Sequence, residues 1–168
     1  MLAEAMAEAG VGFDGLDRIG VTVGPGSFTG LRVGLAFAKG LAIARGIPCV
    51  GVGVLEALAA SVDRSGPVVA AIDAKRDQLY LQVFGERPGA RGPEAILLVD
   101  IRLFDPSPQL TVVGSGAPLL RSAFPHARLE PLAAPDPLAV ARLAAAADPA
   151  EAPPQPIYLR APDARLPA

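Results

Sequence analysis

Tryptophan and asparagine are absent from the 168 residues, and cysteine and histidine each occur once. A lone thiol, Cys49, excludes an intrachain disulfide and fits a reducing compartment. A lone imidazole, His126, follows Pro125 in a stretch that reads as a surface loop, and no His, Cys or carboxylate cluster with metal-ligand spacing accompanies it. No metal site is therefore assigned. Apolar runs are broken by Gly, Pro or charge well before the ~18 residues that suggest a membrane span, and no basic segment precedes an apolar one at the N-terminus. No membrane association is expected, and the cytoplasm is the expected location. Charge is scarce and nearly balanced, with 15 Lys and Arg against 17 Asp and Glu and a formal net charge of −2. Such a chain has no overall attraction for nucleic acid, whose phosphates favour basic surface. Any RNA it serves is expected to be held by a partner.

What is present is apolar and alternating. Residues 1–9 place Leu2, Ala5, Met6 and Ala9 on one stripe at helical spacing. "RIGVTV" at 18–23 is a β-branched run of strand length, residues 30–45 have helical length and stop before Gly46 and Pro48, and "PCVGV" reads as the next strand. A short helix, "GVLEALAASVD", leads to a change of texture at 65–67, which divides the chain into expected lobes 1–65 and 66–168. In the second, residues 67–85 read as a hairpin around a charged turn, "EAILLVDIRLF" as a third strand, and "QLTVVGSGAPLLRSAF" as strand, glycine turn and helix. Residues 136–147 form a helix with Asp136 as cap and Pro137 at its first position, before a proline-rich linker and tail. Alternating strands and helices make the class α/β.

The glycine loop "GPGSFTGLRVG" (24–34) lies between a strand and a helix, where loops of this kind often touch a ligand or a partner. It does not fit a Walker loop, because neither Gly24 nor Gly26 leads to Gly-Lys at the required spacing. As a dinucleotide fingerprint it is weak: the glycines are 24, 26 and 30, and the first acid afterwards is Glu56. Ser27 and Thr29 have no base beside them in the sequence, so their hydroxyls are assigned to capping the following helix. Gly24 and Gly26 allow a sharp turn and Pro25 stiffens it. Along the helix, Gly30, Gly34 and Ala38 recur every fourth residue, a ridge with little side chain along which a second helix backbone can approach. Leu31, Val33, Leu35, Phe37 and Leu41 leave Arg32 and Lys39 as the charges before Arg45, so the helix calls for cover on two sides. Whether its own chain supplies both is left open by the spacing.

"GPGSFTGLRVGLAFAKGLA" closely resembles the signature of the bacterial TsaB/YeaZ family, relatives of the TsaD glycoprotease-like proteins. "GVGVLEALA", "AAIDAKRDQLYLQVF", "TVVGSGA" and "PIYLR" follow in the family's order, so the resemblance covers nearly the whole chain. It implies an actin-like (ASKHA) fold of two ribonuclease-H-like lobes, with a truncated first lobe that lacks the family's usual opening strand and hairpin. Strand 18–23 would then have an unpaired edge, and the chain is expected to associate. The implied function is that of a non-catalytic scaffold in the complex that transfers a threonylcarbamoyl group to the anticodon-adjacent adenosine of tRNA. The implied partners are a TsaD-like catalytic subunit and a TsaE-like ATPase, with a homodimer in isolation and tRNA reached only through the complex. The expected interface residues are Leu2, Met6, Gly30, Leu31, Gly34, Leu35, Ala38 and Leu41. A degraded nucleotide site is expected at Asp73, Gly114 and Gly116, where Ala-Lys follows Asp73 in place of the usual glycine. No cofactor is expected on the chain alone, with ATP and Mg²⁺ an option at the interface of the complex. The alternatives are a glycoprotease-like metallopeptidase or small-molecule kinase of the same fold, and a homodimeric binding module unrelated to tRNA.

Overall fold

Short β-branched runs and longer Ala/Leu-rich runs divide this chain between two sheets. The computed structural model describes residues 2–63, 65–85, 92–103 and 109–160. After a short helix α1 (Leu2–Glu8), β1 (Ile19–Thr22) and β2 (Cys49–Val52) pair in parallel, joined by the crossover helix α2 (Phe28–Arg45). Among the described residues no strand lies on the edge of β1 away from β2. Gly46 ends α2 in a left-handed conformation, and the Ile47 N–H reaches back to the Ala42 carbonyl, which is why the helix stops there.

The second sheet has the order β5-β4-β3-β6-β7. Its hairpin is β3 (Val68–Lys75) with β4 (Gln78–Phe84), β5 (Glu94–Leu97) lies on the outside of β4, and β6 (Thr111–Val113) and β7 (Arg128–Glu130) run parallel to β3. Alternation along β3 separates two cores. Val69 and Ala71 face one way, into a cluster with Leu79, Leu81, Val112, Leu120 and Phe124. Val68 and Ala70 face the other, against Leu55, Leu58 and Ala59 of α3 (Val54–Ala60).

Helix α3 joins the two sheets. Leu55, Leu58 and Ala59 pack on the second sheet, whereas Ala57 packs with Val50 and Val52 of β2 and Ala144 of α4 (Pro137–Ala146). A helix buried around most of its circumference is what its polar-poor sequence requires. Helix α4 follows the second sheet in sequence yet returns to pack on β1 and β2. Gly20 makes that contact possible, because a Cβ there would lie 2.6 Å from the Ala144 Cβ.

Several expectations need correction in detail. Helix α2 begins at Phe28, so Ser27 alone caps it, accepting from the Gly30 N–H at 3.4 Å, while Thr29 lies inside the first turn. The expected third strand ends at Leu97 and continues as a 3-10 segment, Leu98–Leu103. The expected helix after "VGSG" is a single 3-10 turn, Ala117–Leu120, closed by the Leu119 N–H to the Gly116 carbonyl. β7 has only three residues, Arg-Leu-Glu, with no β-branched run to announce it.

Candidate functional site

Helix α2 presents two faces. Leu31, Leu35, Ala38 and Ala42 point inward and are buried. On the opposite side Thr29, Val33, Ala36, Phe37, Gly40 and Ala44 share one face at helical spacing and are all exposed. Val33 is 65%, Phe37 62% and Ile43 81% exposed. That stripe carries no charge, with Arg32 and Lys39 at its flank. Beside the glycines at 34 and 40 there is open space. Several large apolar side chains aligned on one exposed helix face are unusual for a surface that meets only water. The expected ridge is therefore divided: Gly30 and Gly34 are exposed, but Ala38 is turned inward. Leu31, Leu35 and Ala38, together with Met6 of α1, serve the chain's own interior, because each successive fourth residue on a helix drifts around the axis. Leu41 is half-buried, and Leu2 is exposed.

Between the two sheets lies a cleft of about 620 Å³, lined by Pro25, Gly26 and Ser27 of the glycine loop, Asp73 and Ala74 at the end of β3, Tyr80 of β4, and the tail from Ile157 to Arg160. A second hollow, about 360 Å³, lies on the other side of the same loop and reaches Gly34, Leu58 and Ser115. Gly24 is the pivot of the loop, with φ +105°, which only glycine adopts without strain.

The Asp73 backbone N–H donates to Ser115 Oγ at 3.1 Å. Its carboxylate accepts from the Lys75 ammonium at 2.6 Å and from the Lys75 N–H at 2.8 Å. These bonds, the side-chain one foremost, hold the Asp73 carboxyl below its ordinary range. Gly114 and Gly116 are structural at short range. A Cβ on Gly114 would run into the Ala71 carbonyl oxygen, and one on Gly116 would lie 2.7 Å from Leu79 Cδ2. The Gly116 N–H donates to the Ala71 carbonyl at 3.0 Å, so both glycines seat the turn after β6 against β3. Among the described residues no three His, Cys, Asp or Glu side chains come together as metal ligands.

Residues 1–102 match the protein family described as TsaD, tRNA N6-adenosine threonylcarbamoyltransferase. An uncharacterized Mycobacterium tuberculosis protein is 37% identical over 163 residues, covering 96% of this chain and 72% of its own. The tRNA threonylcarbamoyladenosine biosynthesis protein TsaB of Haemophilus influenzae is 38% identical over 91 residues, 52% of this chain and 39% of its own. YeaZ from Pseudomonas aeruginosa superposes with a TM-score of 0.80 at 27% identity, over 95% of this chain and 82% of that one. This chain belongs to the TsaB/YeaZ family. Its fold is accordingly the actin-like (ASKHA) arrangement, with the glycine loop at the mouth of the cleft between the two sheets.

Within this TsaB/YeaZ chain, two groups of residues near the site have no motif to announce them. Phe28, Arg32 and Tyr158 cluster where α2 meets the tail: the rings of Phe28 and Tyr158 are 5.4 Å apart, the Arg32 guanidinium carbon lies 3.8 Å from the Phe28 centroid, and Arg32 Nε donates to the Tyr158 hydroxyl at 3.3 Å. Tyr158, 44% exposed, thus joins the tail to the first turns of α2. Arg18 Nη1 donates to the Ala144, Ala145 and Ala147 carbonyls at the end of α4. Only the aromatic and cationic residue types hint at the first group, and nothing in the sequence separates Arg18 from any other surface arginine. Among the described residues no helix is long and apolar enough to cross a membrane.

Proposed function

We propose that this chain is a non-catalytic, cytoplasmic partner subunit in the formation of threonylcarbamoyladenosine on tRNA, docking a TsaD-like catalytic subunit through the outer face of α2. The observation that carries this reading is the uncharged stripe Thr29, Val33, Ala36, Phe37, Gly40 and Ala44 on a helix whose other side is already filled by its own chain. A helix laid along that stripe finds apolar anchors at Val33 and Phe37, and the bare backbone of Gly40 permits close approach. The membership in the TsaB/YeaZ family supports the choice of reaction and partner. In isolation the same face pairs with a second copy, and in the complete assembly a TsaE-like ATPase and the tRNA are met through the catalytic subunit.

The residues at the cleft support a scaffold more than an independent nucleotide site. Lys75 already engages the Asp73 carboxylate, and Gly114 and Gly116 hold the turn onto β3. ATP with Mg²⁺ is then a matter for the interface of the complex. No specific observation favours a metallopeptidase or a kinase.

Reconstitution tests the proposal. A purified TsaD-like subunit, its ATPase partner, the threonylcarbamoyl adenylate and tRNA are incubated with and without this chain. Modified adenosine is expected only when the chain and the TsaD-like subunit are both present. Product from the chain and adenylate alone would overturn the non-catalytic assignment.

A further inference from the structure

After α4 the chain returns across the molecule and touches both sheets. The Ala152 carbonyl accepts from the Gly51 N–H at 2.9 Å, and the Ile157 N–H donates to the Val23 carbonyl at 2.7 Å, which ties the tail to the ends of β1 and β2. Arg160 Nη1 donates to the Ala74 carbonyl at 3.2 Å, which ties it to the end of β3. Between these anchors Tyr158 sits against Phe28 and accepts from Arg32, both in the first turns of α2. Two glycines have their Cβ space taken by the tail: a Cβ on Gly24 would lie 2.8 Å from the Ile157 oxygen, and one on Gly51 would lie 2.7 Å from the Pro153 oxygen. The first glycine of the signature loop therefore does more than turn the chain. It leaves room for the tail to lie on the loop.

We propose that residues 152–160 are a latch, holding the glycine loop and the end of β3 at a fixed separation and closing one mouth of the cleft between the sheets. The backbone bonds at Ala152 and Ile157 form its root, and Tyr158 with Arg160 forms its catch. The catch consists of an exposed tyrosine and a half-buried arginine, and single contacts of this kind are weak and release more readily than a packed core. Pro153, Pro154 and Pro156 fix φ along the root, so the segment gives up little backbone freedom when it reseats. With the catch open, the first turn of α2 loses its hold on the tail, and the loop and β3 are free to separate. The inference is independent of which partner docks on the outer face of α2.

Hydrogen–deuterium exchange of the full chain tests it, with the double variant Tyr158→Ala/Arg160→Ala against the wild type. If the latch exists, exchange rises about tenfold or more at the Ile157 amide and rises together at Gly30 and Leu31 in the loop and first turn and at Asp73 and Lys75 at the end of β3. The amides of α4 and of the interior of β3 and β4 keep their wild-type rates. A rise confined to the tail, with the loop and β3 unchanged, overturns the proposal and leaves a passive tail. Should the double variant lose protection throughout, Tyr158→Phe retains the ring contact and removes the hydroxyl that accepts from Arg32. A smaller coordinated rise, about two- to fivefold, is then expected at the same three places, and unchanged rates at all three overturn the latch.

Discussion

Gly114 has φ +112°, and a methyl group there would collide with the Ala71 carbonyl oxygen. Both faults act in the folded state alone, so Gly114→Ala is expected to destabilise by about 3 kcal/mol or more in urea unfolding, while Gly34→Ala, with open space around it, changes stability by less than about 1 kcal/mol. Equal small effects at both positions would remove the structural role assigned to Gly114. Asp73 makes a pH prediction at the same scale. Lys75 favours its ionised form in the fold, so the folded carboxyl releases its proton at lower pH than the unfolded one. The stabilisation is fully present above the ordinary carboxylate range, near ~4, and is lost as pH falls through and below it. Asp73→Asn should flatten the acid limb of a stability-against-pH curve, and an unchanged limb would show that the carboxylate adds nothing. The resemblance placed Gly114 and Asp73 in a degraded nucleotide site and said nothing of their packing. The clash with Ala71 depends on residues far apart in the chain, and no local pattern contains it.

The start of α4 was legible in the sequence, because capping is local. Asp136 accepts from the Leu138 N–H at 2.9 Å with Pro137 behind it, as their order in the sequence requires. Asp136→Ala should cost about 1 kcal/mol in thermal or urea unfolding. The contact that closes the other end of the same helix was not legible, since Arg18 reaches its carbonyls from well over a hundred residues away in the chain. Arg18→Met should cost about 1–2 kcal/mol through loss of charge-assisted bonds to those carbonyls, and no loss would mean that water replaces the guanidinium without penalty. Strands were legible where β-branched or other apolar residues ran together, as with β1, the β3–β4 hairpin and the three-residue β6. β7 was not, because Arg-Leu-Glu holds one apolar residue between two charges and no β-branched one. Helix α2 was found nearly end to end, yet its inward and outward faces were confused. Being apolar around most of its girth, it gives no contrast from which to orient it.

At the scale of the whole molecule, the order of strands and helices and the place of the glycine loop were readable in the sequence. The return of α4 to the first sheet and the path of the tail over the loop were not, because both depend on small residues, Gly20, Gly24 and Gly51, admitting a distant backbone. The result is one filled side of α2 and one bare side, and the account depends on the bare side being a docking surface for another subunit. The most direct measurement is the dissociation constant between this chain and a purified TsaD-like subunit, for wild type and for Phe37→Glu. Phe37 is exposed, so the substitution should leave the melting temperature of the isolated chain within a few degrees of wild type. The dissociation constant should rise about a hundredfold or more, as for an anchor side chain lost from the centre of an interface. Unchanged affinity, with the variant folded, would contradict the assignment of this face.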